Sequence, residues 1–256
     1  MKINHIYIFI AFIFAIGCQS EQKTDFSFSS KSKFDSTTSA LNSTLKFIQD
    51  SVNVNQNNVP LDKDQFYFPL KLFPVKEYYY AGDSSGVQKF KTRIIEGEKD
   101  TFVVKWYSKY LYRMKEPLLF NLKGKIETYR FTWLRSFDNP IAIRIEKEND
   151  TYTLYWKVCD GAGGYDPGKL IINKSKIISK ADWSRFKNKL KESNFWSLEP
   201  GRASLGTDGS EWIMEGAKSN NYHVVTIWSP SDGKYYEACR YLLELTNLDI
   251  PKDKIY

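Results

Sequence analysis

The residues best suited to acid–base chemistry lie in the segment "DGSEWIMEG", where Glu211 and Glu215 alternate with apolar residues. If this segment is a strand, both carboxylates lie on one face of a sheet. Residues i and i+4 of a strand are about 13 Å apart, from a rise of ~3.3 Å per residue, which exceeds the separation of the paired carboxyl groups in glycoside hydrolases. A hydrolytic site would therefore need a partner such as Asp160 or Asp166. The alternative is a solvated sheet face that carries glutamates opposite an apolar face.

His223 is a further acid–base candidate, since it lies in the apolar, strand-like run "YHVVTIW". If Ala217 pairs with Tyr222 in a hairpin, His223 lies on the apolar face of that hairpin and a structural role is expected. A register shifted by one residue would place it beside Glu215, where an acid–base pair could form. We expect the structural role.

No metal and no cofactor are expected. His5 and His223 are the only histidines, and His223 with two distant cysteines lacks the spacing of a zinc site. The loop "DGAGGYDPG", which starts at Asp160, has neither the G-K-[ST] end of a phosphate-binding loop nor the closely spaced oxygens of an EF-hand. Its glycines predict a wide turn with positive φ angles, and a calcium site that uses Asp160 and Asp166 is the alternative.

Helical periodicity predicts three of the elements that must position these residues. Aromatic and aliphatic residues recur at helical spacing over residues 100–116, which predicts an amphipathic helix capped by Asp100 whose aromatic stripe faces a core. Ser179 with Asp182 resembles a capping box that opens a second helix, and a third helix follows Gly233.

Period-two alternation predicts the strands of an antiparallel sheet. Three strands are expected near residues 129–133, 141–145 and 152–158, with a turn at Asn149 and Asp150 between the last two. Residues 210–228 predict a further hairpin. Hairpins with segregated helices indicate an α+β fold.

The N-terminal segment "MKINHIYIFIAFIFAIGC" has one positive residue, Lys2, and an apolar run from Ile6 to Ile16 that ends in small residues before Cys18. A transmembrane helix needs about 20 apolar residues, whereas about 7 to 15 are typical of a secretory signal. The sequence "AIGC" resembles the lipobox of bacterial lipoproteins. That resemblance implies cleavage before Cys18 and lipidation of Cys18. An uncleaved signal anchor is the alternative.

The domain organisation follows from this N-terminus. Residues 1–17 are the expected signal peptide, and the polar residues 18–35 are the expected flexible tether. Residues 36–256 are expected to form a single α+β domain, with a subdivision near residue 120 as an alternative.

The segments "YRFTWLRSFDNPIAIRI" and "GTDGSEWIMEG...YHVVTIWSP" are similar to segments of uncharacterised lipoproteins of the Bacteroidetes group. The similarity extends over about residues 100–245. It implies a shared fold and a place in the bacterial cell envelope, with the outer membrane favoured and its face undecided. It implies no activity and transfers no functional residues.

Lipidation of Cys18 leaves Cys159 and Cys239 as a pair in an oxidising compartment, where disulfides persist. A bridge that closes about eighty residues would stabilise the fold by about 4 kcal/mol in the chain-entropy model. The alternative is that both cysteines are small buried apolar residues.

The composition favours a binding protein over an enzyme. The formal net charge of +7 is modest and its lysines and arginines are not clustered, so no nucleic-acid partner is expected. The aromatic content of 16% could supply stacking surfaces for sugars. We expect a lipid-anchored envelope protein that binds a glycan or a protein. A carboxylate-based envelope hydrolase and an immunity-type or inhibitor lipoprotein are the alternatives.

The lipobox assignment predicts the outcome of a single substitution. Cys18→Ala removes the thiol that would carry the lipid, so the variant should be unlipidated and largely released from membranes. Membrane fractionation and mass spectrometry of the N-terminal peptide measure both effects. Retention of the variant in the membrane fraction at the wild-type level would contradict the assignment.

Overall fold

The computed structural model describes residues 52–82, 88–122, 126–200, 208–219 and 221–256, with only the backbone at 78, 80 and 88–92. The expected signal peptide, Cys18 and the tether lie outside the described residues. Within the described part of the chain, no helix is long and apolar enough to cross a bilayer.

The described chain contains three α-helices, a two-stranded sheet and a six-stranded sheet, which confirms the α+β prediction. The small sheet pairs β1 (Pro74–Gly82) with β2 (Gln88–Lys99), and both sheets are antiparallel. The large sheet has the order β6-β5-β4-β3-β7-β8. Its strands are β3 (Glu127–Arg135), β4 (Ile141–Glu148), β5 (Thr151–Cys159), β6 (Leu170–Ile177), β7 (Ser210–Lys218) and β8 (Asn221–Trp228). The helices are α1 (Thr101–Arg113), α2 (Lys180–Glu192) and α3 (Gly233–Thr246).

The local signals in the sequence act as predicted at several element ends. The Asp100 side chain accepts a hydrogen bond from the Val103 amide at 2.9 Å and so caps α1. The Ser179 hydroxyl accepts one from the Asp182 amide at 3.0 Å and caps α2. Asn149 turns β4 into β5 with a φ of 54°, a left-handed conformation that asparagine tolerates better than most residues.

The large sheet is covered on both faces, so the helices divide between two layers. On one face, α2 and α3 pack on an apolar surface that includes Phe131, Trp133 and Trp212. On the other face, α1 and residues 66–73 form a second core with side chains from β3, β4, β7 and β8. Residues before and after position 120 therefore contribute to the same core.

The candidate disulfide between Cys159 and Cys239 is not formed. Cys159 packs in the core beneath α1, whereas Cys239 lies on α3 in the core on the opposite face of the sheet. Both are free, buried thiols. Burial raises the pKa of Cys159 to about 11 and also raises the pKa of Cys239. The alternative of two small buried residues is correct, and sequence spacing could not reveal it because the sheet separates the two thiols.

The sheet face beneath α1 carries a buried ion network around Glu116. Lys157 Nζ lies 2.9 Å from Glu116 Oε1, and Arg144 Nε lies 3.0 Å from Glu116 Oε2. Arg130 Nη1 approaches the same Oε2 at 3.4 Å. Glu116 and Arg130 are almost completely shielded from solvent, at 1% and 0% exposure. The network therefore satisfies charges that would be strongly unfavourable alone.

The same cations hold the backbone where the chain leaves α1. Lys157 Nζ donates to the Lys115 carbonyl at 2.8 Å, and Arg130 Nη1 donates to the Pro117 carbonyl at 2.7 Å. The Tyr67 hydroxyl donates to the Glu116 carbonyl between them at 2.9 Å. Side chains thereby satisfy three consecutive carbonyls of the segment that follows α1.

Glu116 is ionised because its cations outweigh its burial. Burial disfavours the carboxylate, but Arg144, Lys157 and Arg130 lower the pKa of Glu116 to about 2. Burial likewise disfavours the charged form of Arg130. The neighbouring Glu215 and Glu116 outweigh this effect, so the pKa of Arg130 is raised overall. In the unfolded chain the Glu116 carboxyl has an ordinary pKa near 4.5, so this contribution to stability is present above that pH and is lost as the pH falls towards 2.

Glu116→Gln should therefore destabilise the fold by about 3 kcal/mol at pH 7, because it leaves Arg144 and Lys157 buried without their carboxylate. The difference from wild type should shrink as the pH falls from about 4.5 towards 2. Urea unfolding between pH 2 and 7 measures both effects.

Glu146→Gln is the matched control, because Glu146 also pairs with Arg144 but lies nearer the surface, with its side chain 19% exposed. Its loss should be less than about 1 kcal/mol. Equal losses for the two variants, or a loss at Glu116 that does not change with pH, would contradict the central role of Glu116.

Candidate functional site

The residues predicted for acid–base chemistry are not brought together. Glu215 is completely buried, and Arg130 Nε donates to its Oε2 at 2.7 Å while the Tyr222 hydroxyl donates to its Oε1 at 2.9 Å. Both of its oxygens are thus occupied. Glu211 lies four residues away on β7, about 13 Å along the strand. The solvated-face alternative for these glutamates is wrong, because α1 and residues 66–73 cover that face.

His223 takes the register for which a structural role was predicted. Ala217 pairs with Tyr222, which places His223 opposite Gly216 and on the sheet face away from Glu215. The imidazole packs edge-on against Phe195, and its Nε2 lies 3.0 Å from the Leu198 carbonyl. Burial lowers the pKa of His223, and hydrogen bonding to the main chain opposes part of the shift. Among the described residues no carboxylate contacts His223, which serves packing.

Asp160 and Asp166 stabilise the loop that contains them. Asp160 Oδ1 accepts a hydrogen bond from the Lys169 amide at 2.6 Å, and Asp166 Oδ1 accepts one from the Gly168 amide at 2.8 Å. Within the ranges that the structure describes, no group of three or more His, Cys, Asp or Glu side chains could hold a metal ion.

Most glycines of this loop serve close packing, which corrects the prediction of positive φ angles. Among the four loop glycines, Gly168 alone has a positive φ, at 69°. A Cβ on Gly163 would lie 2.4 Å from the Arg135 amide nitrogen, and one on Gly164 would lie 2.8 Å from the Ser136 carbonyl oxygen. The loop therefore lies directly on the end of β3. Backbone hydrogen bonds from Gly163 to Asp138 and from Gly164 to Ser136 hold it there.

This loop presents Tyr165 at one end of a row of exposed aromatic rings. Tyr165 is 63% exposed and packs against Phe137, which is 58% exposed, at a centroid distance of 6.1 Å. On α1, Phe102 is 72% exposed and stacks on the half-buried Trp106 at 6.2 Å. We call these four residues the aromatic strip.

Lys109 joins the two halves of the aromatic strip. Its Nζ lies 3.5 Å from the centroid of the Trp106 ring, a cation–π contact, and donates to the Tyr165 carbonyl at 2.5 Å. The Tyr110 hydroxyl fastens the same loop to α1 by donating to the Ala162 carbonyl at 3.0 Å. The helix and the loop thus present their rings as one surface.

A cleft of about 600 Å³ adjoins the aromatic strip at Lys109 and at Asp166, the residue after Tyr165. Its walls mix cations, carboxylates and neutral groups. The charged lining residues are Lys63, Asp64, Lys109, Arg113, Lys115 and Asp166, and the others are Asn55, Val59, Pro60, Leu61, Tyr112 and Pro167. Aromatic faces beside amide, carboxylate and cationic groups can bind a ligand that is part apolar and part polar.

Sequence reasoning identified only part of this surface. Asp166 was a candidate residue, and it does line the cleft. The helix stripe was predicted to face a core, yet Phe102 is exposed and Trp106 is half-buried, because the centre of the buried face lies at Val104, Tyr107 and Leu111. Lys105 and Lys109 are interspersed with this part of the stripe, and these charged residues indicate that it borders solvent.

Neither a protein-family model nor a curated protein matches this chain.

Burial raises the pKa of both predicted carboxyls of β7, Glu215 and Glu211. The Oε1 atom of Glu211 is shielded from solvent and has no hydrogen-bond partner among the described residues. Burial raises the pKa of Glu211 to about 8, and hydrogen bonding to Tyr107 and Thr226 opposes part of that shift. The carboxyl is therefore mainly protonated at neutral pH. It faces α1 from inside the fold, away from the cleft.

Replacement of Glu211 by glutamine should stabilise the protein in a pH-dependent way. Between about pH 4.5 and 8 the unfolded carboxyl is ionised while the folded one keeps its proton, so wild-type stability falls as the pH rises through this window. Glu211→Gln removes this dependence, and its advantage over wild type should grow by about 4 kcal/mol from pH 4 to pH 8.

Urea unfolding across that range measures the difference, with Glu148→Gln as the control because Glu148 is an exposed carboxylate of the same sheet. A difference between Glu211→Gln and wild type that is constant with pH would show that Glu211 ionises normally.

Proposed function

We propose that this protein is a lipid-anchored protein of the bacterial cell envelope whose α+β domain binds a glycan at the aromatic strip and the adjoining cleft. The exposed rings of Phe102, Tyr165 and Phe137 carry the proposal. Burial of large rings contributes strongly to folding, so rings left in water are unfavourable for a monomer unless a ligand covers them.

The shape of the aromatic strip suits a sugar chain. A pyranose ring has apolar C–H faces and a rim of hydroxyl groups, so it can stack on an aromatic face while its rim forms hydrogen bonds. The strip supplies flat faces, and the neighbouring cleft supplies hydrogen-bonding groups such as Asn55 and Asp166. This combination fits a ligand with both kinds of surface.

The extent of the aromatic strip favours a glycan over a protein partner. At about 200 Å² per ring, the three most exposed rings present about 400 Å². A stable protein interface buries about 800 Å² on each partner, and the surroundings of the strip are charged rather than apolar. A saccharide of a few units needs no larger area than the strip provides.

The attachment of the rings supports binding without rearrangement. The Tyr165 loop is hydrogen-bonded to the end of β3 and to α1, and its glycines leave no space between the loop and Arg135 or Ser136. A surface that is already ordered loses little entropy when a ligand docks.

The competing functions have less support. A carboxylate-based hydrolase would need two acidic groups in one accessible site. Glu215 is completely buried, and Glu211 lies about 13 Å from it along β7. An immunity-type or inhibitor lipoprotein has no residue in its favour. Lipid anchoring and envelope localisation rest on the apolar run and the small residues before Cys18.

Binding to polysaccharides tests the proposal directly. Phe102→Ala and Tyr165→Ala should each weaken binding roughly 2- to 10-fold, because each removes one exposed stacking face. Affinity gel electrophoresis against a panel of neutral and acidic polysaccharides, followed by calorimetry on the best ligand, measures the loss.

Ile177→Ser is the matched control, since Ile177 is an exposed apolar residue, at 69%, on edge strand β6 and outside the strip. It should bind as wild type does. Binding that survives loss of both Phe102 and Tyr165, or the absence of binding to every polysaccharide, would contradict the proposal. A purified envelope protein that binds wild type and not these variants would replace the glycan with a protein partner.

A further inference from the structure

The charges of the cleft are unevenly compensated. Lys63 pairs with Asp64 at 3.2 Å, and Lys109 is occupied by the Trp106 ring and the Tyr165 carbonyl. Arg113 and Lys115 are exposed, and neither side chain has a hydrogen bond or an ion pair within the described residues. The cleft thus contains two free cations beside a ring surface.

The buried ion network fixes the backbone that carries both free cations. Arg113 is the last residue of α1, and Lys115 follows in a left-handed conformation with a φ of 51°. The Lys115 carbonyl is held by Lys157, and the Glu116 side chain is enclosed by its three cations. The guanidinium and ammonium groups remain free while their main-chain anchors are fixed, which limits the entropy lost on binding.

The loop that holds Tyr165 also lines the cleft. Asp166 and Pro167 of this loop and Arg113 at the end of α1 are among its lining residues. One ligand can therefore lie on the Tyr165 ring and extend towards Arg113 and Lys115. The planar guanidinium of Arg113 matches the two oxygens of a carboxylate or a sulfate, and Lys115 adds a second positive charge.

From this arrangement we infer that the glycan bound here is anionic, a saccharide that carries carboxylate or sulfate groups, and that Arg113 and Lys115 bind those groups. The inference rests on the proposed function and names its ligand class. Asp166, which also lines the cleft, accepts a hydrogen bond from the Gly168 amide with its Oδ1. Its second carboxylate oxygen is available to accept a hydrogen bond from a sugar hydroxyl.

Matched saccharides that differ only in charge provide the test. The probes are an oligogalacturonate with its full methyl ester, and chondroitin sulfate with its desulfated, carboxyl-reduced form. Wild-type protein should bind at least one acidic member about 10-fold more tightly than its neutral counterpart. That preference should diminish between 50 and 500 mM NaCl, because salt screens exposed charges.

The double variant Arg113→Gln/Lys115→Gln should lose at least 10-fold in affinity for the acidic member and retain its affinity for the neutral one. Lys105→Gln is the matched control, because Lys105 is an exposed lysine of the same helix that does not line the cleft. Circular dichroism and the urea midpoint check that each variant is folded. The comparison of charged and neutral probes on wild-type protein needs no variant.

The outcomes separate this inference from the proposed function. Equal affinity for charged and neutral members, an unchanged affinity of the double variant, or binding of neutral polysaccharides without either acidic probe would overturn the anionic ligand and leave glycan binding intact. Failure to bind any saccharide, charged or neutral, would overturn both.

Discussion

The fold depends on one buried carboxylate, Glu116, that three cations of the sheet surround. Arg130, Arg144 and Lys157 point from adjacent strands towards the same face, and without a counter-charge no helix could cover them. Desolvation of such charges amounts to several kcal/mol for each ion, and only close pairing with further hydrogen bonds offsets it. Glu116, Glu215 and Glu146 supply one carboxylate for each cation, so the interior under α1 is balanced in charge.

This balance explains why the two faces of the sheet are so different. The face under α2 and α3 is aromatic and aliphatic, and a histidine there is held neutral by burial. The face under α1 contains Arg130 and Glu215 as a directly opposed pair on β3 and β7. Because the ions are paired across strands, they also fix the strand register. A shift by one residue would move each charged side chain to the other face of the sheet, into the apolar core. The ion network thus specifies a single arrangement, in addition to any net stabilisation it gives.

The sequence predicted local structure well and the burial of charge poorly, for one physical reason. Caps at Asp100 and Ser179, the turn at Asn149 and the strand alternation are set by neighbours in sequence, and all appear as predicted. Whether Glu215 is solvated or paired with Arg130 depends on where α1 packs. That packing is a long-range contact, which the alternation of residues along a strand does not determine. The same limit applies to Cys159 and Cys239, whose pairing depends on which faces they occupy. The two helical rings of the aromatic strip, Phe102 and Trp106, were predicted to face a core because helical periodicity gives the stripe but not its exact rotation.

The charges that stabilise the fold and the charges that we assign to ligand binding meet at the end of α1. Within four residues the chain passes from Arg113, which is exposed and has no ion pair among the described residues, to Glu116, which is enclosed by three cations. Lys115, in a left-handed conformation, makes the turn between them. A left-handed residue reverses the chain within one position, which lets adjacent side chains face solvent and interior in succession. The buried carboxylate therefore orients the exposed cations through a rigid backbone, and no direct contact between them is needed. An anionic ligand that binds Arg113 and Lys115 adds negative charge on the solvent side of this turn. There it compensates the two positive charges that no carboxylate of the described residues pairs with.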